Sequence, residues 1–153
     1  MLVYISIRFR DLRAGGSAIL ALIHDVLGVL AAYAVFRIPV NNTFIAVLLT
    51  ILGYSINSTI VIFDRIRENK ENYSPAEAAE KIDKSISQTL SRSINTSLTT
   101  LFTVGAIYVL GVPSIKEFAL PMMVGIIAGA YSSICISGSV WYTLLPKAEK
   151  GIE

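Results

Sequence analysis

Tyr54, Ser55, Asn57, Ser58 and Thr59 place hydroxyl and amide groups in the second half of an apolar run that ends in the alternating charges of Asp64-Arg65-Ile66-Arg67-Glu68. In hydrocarbon such groups are costly unless they find partners, so the helix carrying them belongs inside a bundle with its polar side turned inward. A second set follows at Ser91, Arg92, Asn95, Thr96, Thr99, Thr100 and Thr103, and Asn95, Thr99 and Thr103 recur every four residues on one helical face. Gly53, Asn57 and Asp64 share a face of the first helix, with Thr50 close by and Ser58 on the neighbouring stripe with Tyr54. The expectation is that the two oxygen-rich flanks meet away from lipid and form a lane that a proton or cation can cross. Interhelical hydrogen bonding alone, at ~0.6 kcal/mol per contact, accounts for the same pattern, and periodicity leaves both readings open.

His24 and Asp25 form an adjacent ionisable pair well inside another apolar run. Nine residues into a helix, roughly 13 Å from its end, they need each other or a neighbouring helix as a partner. Because imidazole titrates near neutrality, a proton relay is one reading; a pair that locks two helices together is the other. Asp64 lies about 9 Å beyond Ser58 along its helix, near an interface where Arg65, Arg67 or Arg92 can neutralise it. Ser55 or Ser58 with His24 does not make a convincing nucleophile and base, since no Gly-x-Ser-x-Gly turn is present and mid-helix serines lack free backbone N–H groups for an oxyanion. No enzymatic activity, metal site or bound cofactor is expected, beyond a transported proton or sodium ion. Gly125, Gly129, Ser133 and Ser137 form a small-xxx-small stripe read as a packing seam, and Cys135 is read as a small apolar side chain.

The elements that must position these groups follow from composition. With 153 residues and 54% hydrophobic content, the chain is too apolar for an ordinary soluble fold, and several segments lack the polar face that a water-exposed bundle requires. The fold class is an all-α polytopic membrane helix bundle in one transmembrane domain. Residues 1–8 read as the end of a span begun earlier, because six apolar residues before Arg8 fall short of the roughly 20 a span needs. Full spans are expected at 15–37, 43–64, 93–111 and 118–145, with Gly15-Gly16-Ser17 as a break, Pro39 and the Asn41-Asn42 pair as a connection and cap, and a turn around Lys116 and Glu117. Ser74-Pro75-Ala76-Glu77 opens an amphipathic surface helix over 74–91, with Ile82, Ile86 and Leu90 on its apolar face.

Alternate loops hold eleven and two of the Lys and Arg residues, so the basic loops and the C-terminus are expected on the cytoplasmic side of a prokaryotic cytoplasmic membrane crossed several times. A net charge of +2 without a basic stripe gives no footprint for nucleic acid.

The segments Gly53 to Asn69 and Gln88 to Ser97 resemble the SecF family, membrane subunits of the SecDF protein-export complex, and His24-Asp25-Val26-Leu27 and Gly125 to Ser133 are similar to its other helices. The resemblance covers nearly the whole chain. It implies an exporter-like helix bundle, with a first helix and a large extracytoplasmic domain lying before the matched part, which works with SecD beside the SecYEG channel and draws secreted polypeptides outward on a proton or sodium gradient. The family motif usually reads Gly-Tyr-Ser-Ile-Asn-Asp-Thr, its Asp taken to carry the coupling proton; here that position is Ser58, whose hydroxyl releases no proton at accessible pH. Three readings follow: SecD supplies the carboxylate, a sodium ion binds the oxygens of Asn57, Ser58 and Thr59, or this subunit is a non-coupling scaffold for SecD and an extracytoplasmic domain. The family's basic residue near the path falls on Arg92, implying a role in holding or repelling the travelling cation.

Overall fold

The computed structural model describes residues 12–69 and 77–145. Its elements are α1 (Leu12–Val35), α2 (Asn42–Glu68), α3 (Ala78–Leu110), α4 (Pro113–Tyr131), a π-helical turn (Ser132–Ser137) and α5 (Gly138–Leu144), with no strand among the described residues. The last three run on without interruption, so among the described residues four helices are long and apolar enough to cross a membrane. The expected end of an earlier span at residues 1–8 lies outside the described residues.

Helix boundaries differ from the expected ones for local reasons. Gly15, Gly16 and Ser17 lie inside α1 instead of breaking it. The Ser17 hydroxyl donates to the Ala14 carbonyl at 3.0 Å, and Gly16 lies on the side of α1 that faces Leu144 of α5. At the other end Arg37 takes φ 51°, and the Ile38 N–H reaches back to the Tyr33 carbonyl at 3.1 Å, which closes the helix with a left-handed cap. Asn41 caps α2, its Oδ1 accepting from the Thr43 N–H at 3.0 Å. Replacing it by Ala is expected to cost about 1 kcal/mol, read as a lower thermal midpoint of the purified full-length protein; an unchanged midpoint would show that α2 needs no such cap.

The expected surface helix at 74–91 and span at 93–111 form one continuous helix, α3, over the part described from Ala78. Ser91-Arg92-Ser93 contains no glycine or proline to interrupt it. The amphipathic face packs on protein: Ile82 joins Ala14, Ala18, Ile62, Phe63, Ile66 and Trp141 in a buried cluster, with Ile86 against it. Asn69 ties the end of α2 to the same stretch, its Nδ2 donating to Ser85 Oγ at 2.8 Å and Gln88 Oε1 at 3.0 Å. The turn expected around Lys116 and Glu117 is instead helical, since Pro113 stands at the start of α4 behind an extended Val112, a position where its missing N–H costs nothing.

The interior is stratified along the helix axes. One apolar layer joins Ala14 and Ala18 of α1, Ile62, Phe63 and Ile66 of α2, Ile82 of α3 and Trp141 of α5, where the rings of Phe63 and Trp141 meet edge to face at 6.3 Å. The other joins Val29 and Tyr33 of α1, Val47 and Ile51 of α2, Val104 of α3 and Ala119 and Ile126 of α4. Asp25, Ser55, Thr59, Ser132 and Ser133, all buried, fall between the two in the sequence of their helices.

Candidate functional site

The layer between the apolar clusters is built by α1, α2 and the α4 to π-turn junction. Asp25, wholly buried in α1, accepts a hydrogen bond from the hydroxyl of Ser55 in α2, and its other oxygen lies 3.2 Å from His24 Nδ1. Thr59, one turn beyond Ser55, lies 3.1 Å from Ser133 Oγ, and Ser133 donates to the Ser55 carbonyl at 3.3 Å. With Thr59 as donor to Ser133, each of the three hydroxyls has a partner, and the link between Ser133 and Ser55 runs through the Ser55 backbone carbonyl. Ser132 donates to the Gly129 carbonyl at 3.2 Å and Ser137 to the Ser133 carbonyl at 2.5 Å.

Why the helices come together here is a matter of side-chain size. A Cβ on Gly129 would sit 3.4 Å from Ser55 Cβ and 3.8 Å from the Asp25 carboxylate, so α4 passes directly over the polar pair. One turn earlier a Cβ on Gly125 would come within 2.6 Å of Ile51 and 3.0 Å of Val29. Gly28 faces Ala128 in the same manner. Ser133, at the end of this small-residue stripe, therefore both packs and hydrogen-bonds.

His24 occupies the rim. Its side chain is 42% exposed while that of Asp25 is fully enclosed, and its ring lies 5.9 Å from that of Tyr131. His24 bonds to neither Ser55 nor Ser58, and the group that meets the Ser55 hydroxyl is a carboxylate.

The structure does not bring the other expected groups together. Asn57, Asn95, Thr99 and Arg92 are exposed, so the flanks of α2 and α3 expected to face each other point outward. Asn57, Ser58 and Thr59 are successive residues of one helix, about 100° apart around its axis, and their oxygens diverge: Asn57 is exposed, Ser58 donates to the Tyr54 carbonyl of its own helix at 3.3 Å, and Thr59 turns to Ser133. The hydroxyls of Thr96, Thr99, Thr100 and Thr103 each donate to the carbonyl four residues earlier. α2 meets α3 through Tyr54, whose hydroxyl donates to Ser97 Oγ at 2.8 Å, and through Arg65 and Gln88 at 2.7 Å.

Ser55 and Ser132 belong to the polar layer, and the spacing arguments did not place them there. The available signal was the four-residue repeat Ile51, Ser55, Thr59 beside the repeat Gly125, Gly129, Ser133: a small-residue stripe lets a polar stripe of its own pitch come within hydrogen-bonding distance.

Comparisons with known proteins point one way. The family model of protein export membrane proteins SecD/SecF, C-terminal, matches residues 1–147. The protein translocase subunit SecF of Alicyclobacillus acidocaldarius is 48% identical over 92% of this chain and 46% of its own length. That of Borreliella burgdorferi is 44% identical over 96% of this chain and 49% of its own. A crystal structure of SecDF in its super-membrane-facing form superposes with a TM-score of 0.83 at 44% identity, covering 92% of this chain and 19% of that one. The chain thus spans about half the length of the curated relatives it matches.

Proposed function

We propose that this chain, which belongs to the SecD/SecF C-terminal family of protein export membrane proteins, acts as the membrane-spanning part of a SecF-type subunit. In this reading it pairs with SecD, stands beside the SecYEG channel, and assists the passage of secreted polypeptides across a prokaryotic cytoplasmic membrane on a proton or sodium gradient. The charge count supports a cytoplasmic C-terminus.

The observation that carries the reading is the outward polar face of α2 and α3. Only 6% of the most apolar window of α3 is buried within the chain, against 39% for the span Pro113–Leu144. Phe102, Val109 and Leu110 on α3, like Leu20, Ile23 and Leu27 on α1, suit lipid. Asn57, Asn95, Thr99 and Arg92 do not, since exposed amides and a guanidinium at membrane depth are expensive. A second helix bundle covering this face removes that cost, and SecD is the partner the relatives supply. Ser58 lies half-buried at the edge of the face, so a carboxylate acting there must come from the partner.

Replacing Asn57, Ser58 and Arg92 one at a time by Ala in the full-length complex tests the reading. Export by an intact complex is expected to fall for Asn57 and Arg92, with a smaller effect for Ser58, whose hydroxyl already bonds its own backbone. Full export from all three variants would leave the face as a scaffold contact only.

A further inference from the structure

Asp25 is a fully buried carboxylate in the middle of a membrane-length helix, and among the described residues its ion-pair partner is His24, with no Lys or Arg beside it. Its partners are the Ser55 hydroxyl from α2 and His24 from its own helix; α4 faces it with the bare backbone of Gly129. Among the described residues α2 meets this pair through the Ser55 hydroxyl, with Ser133 and Thr59 one and two links beyond it, and the phenol ring of Tyr131 at the end of α4 lies 5.9 Å from the imidazole. An isolated anion in such surroundings is costly, and adding one proton to the pair removes the charge. His24 is half-exposed where Asp25 is sealed, so the pair opens to the surface of the chain through the imidazole, beside Tyr131.

We propose that His24 and Asp25 together bind and release one proton, and that Ser55, through its hydroxyl to Asp25 and its carbonyl to Ser133, transmits the change to the π-helical turn of the last span. The inference rests on the ion-gradient reading above and assigns the protonation site within this subunit. In the step, a proton from the exposed side bonds to His24 Nε2, the Nδ1 proton passes 3.2 Å to the Asp25 carboxylate, and the ring is left neutral as its other tautomer. One N–H bond forms and another breaks, one O–H bond forms, and the pair as a whole gains one positive charge. The Ser55 hydroxyl then faces a neutral acid instead of an anion, which weakens its hold on it. Ser55 is joined through its carbonyl to Ser133, the second residue of the π turn. A π turn is a wider helical register that recurs at functional sites, and a return to the α register is the rearrangement the proposal assigns to it.

The test uses the full-length complex with SecD in lipid vesicles, with proton and sodium gradients imposed separately. Wild type is expected to carry protons, Asp25→Asn to fall to the level of protein-free vesicles while the complex stays assembled, Asp25→Glu to recover a substantial part, and His24→Gln to shift the pH dependence of the flux. Wild-type proton flux retained in an assembled Asp25→Asn complex overturns the site and leaves the ion-gradient reading standing, as does a wild type that carries sodium but no protons. A wild type that carries neither ion overturns the ion-gradient reading itself. Infrared difference spectra of the wild-type complex add a readout that needs no variant to overturn the proposal: a buried aspartic-acid carbonyl band is expected to appear on acidification, and its absence over the whole pH range in which the complex stays assembled overturns the proposal even if every variant misfolds.

Discussion

Ser55→Leu is expected to abolish most of the folded, assembled protein. The site has no room for a side chain of that size: Ser55 is fully buried, with the bare backbone of Gly129 over its Cβ and the Asp25 carboxylate on its hydroxyl. Inserting a leucine there is overpacking, at about 1–3 kcal/mol. The same change strips Asp25 of its hydroxyl donor, a further ~0.6 to 2 kcal/mol. Against the ~5–15 kcal/mol that holds a typical domain together, the two losses combined are large. Ser55→Ala separates the two effects, since it removes the hydroxyl and leaves the space; a loss of ~0.6 to 2 kcal/mol is expected from hydrogen-bond values measured between membrane helices. Thermal midpoints and yields of the purified complex measure both. A leucine variant as stable as wild type would mean that α1, α2 and α4 do not meet at Ser55.

The second large effect is at Gly125. A Cβ there lands 2.6 and 2.7 Å from two carbons of Ile51 and 3.0 Å from Val29, and both of those side chains are enclosed with nowhere to move. Gly125→Ala is therefore expected to destabilise by about 1–3 kcal/mol, even after the gain of up to ~1 kcal/mol that alanine brings to a helix interior. Gly125→Leu is expected to prevent assembly. Gly129→Ala, four residues on, serves as the control: its Cβ would find ordinary contacts at 3.4 and 3.8 Å, so the result should stay within ~1 kcal/mol of neutral. Equal losses at the two glycines would contradict the geometry, because helix propensity treats them alike and only the neighbours distinguish them.

Both predictions concern a layer that the sequence announced only in part. The oxygens of Ser55 and Thr59, the carboxylate of Asp25 and the spacing of Gly125, Gly129 and Ser133 were each visible along the chain. What joined them was not. The helical wheel correctly groups Thr50, Gly53 and Asn57 on one face, but a wheel has no inside, and that face proved to be outward. The inward stripe of α2 is Ile51, Ser55, Thr59, Ile62 and Ile66. Among ordinary soluble helices the polar face is the outer one; in a bundle bounded by lipid both faces can carry polar groups, one satisfied within the chain and one awaiting a partner, and periodicity cannot tell which is which.

By itself the sequence determined that the chain is helical, that it carries segments apolar and long enough to span a membrane, and that Asn41 would cap a helix, because length, hydropathy and capping are properties of residues near one another along the chain. Tertiary structure alone decided that Asp25 meets Ser55 thirty residues away, that the glycine seam of α4 lies over that pair, and that residues 78–110 form a single helix docked on α2 and α5. Those outcomes depend on which surfaces fit closely enough to exclude a side chain, and fit between distant segments exists only once all the helices are in place.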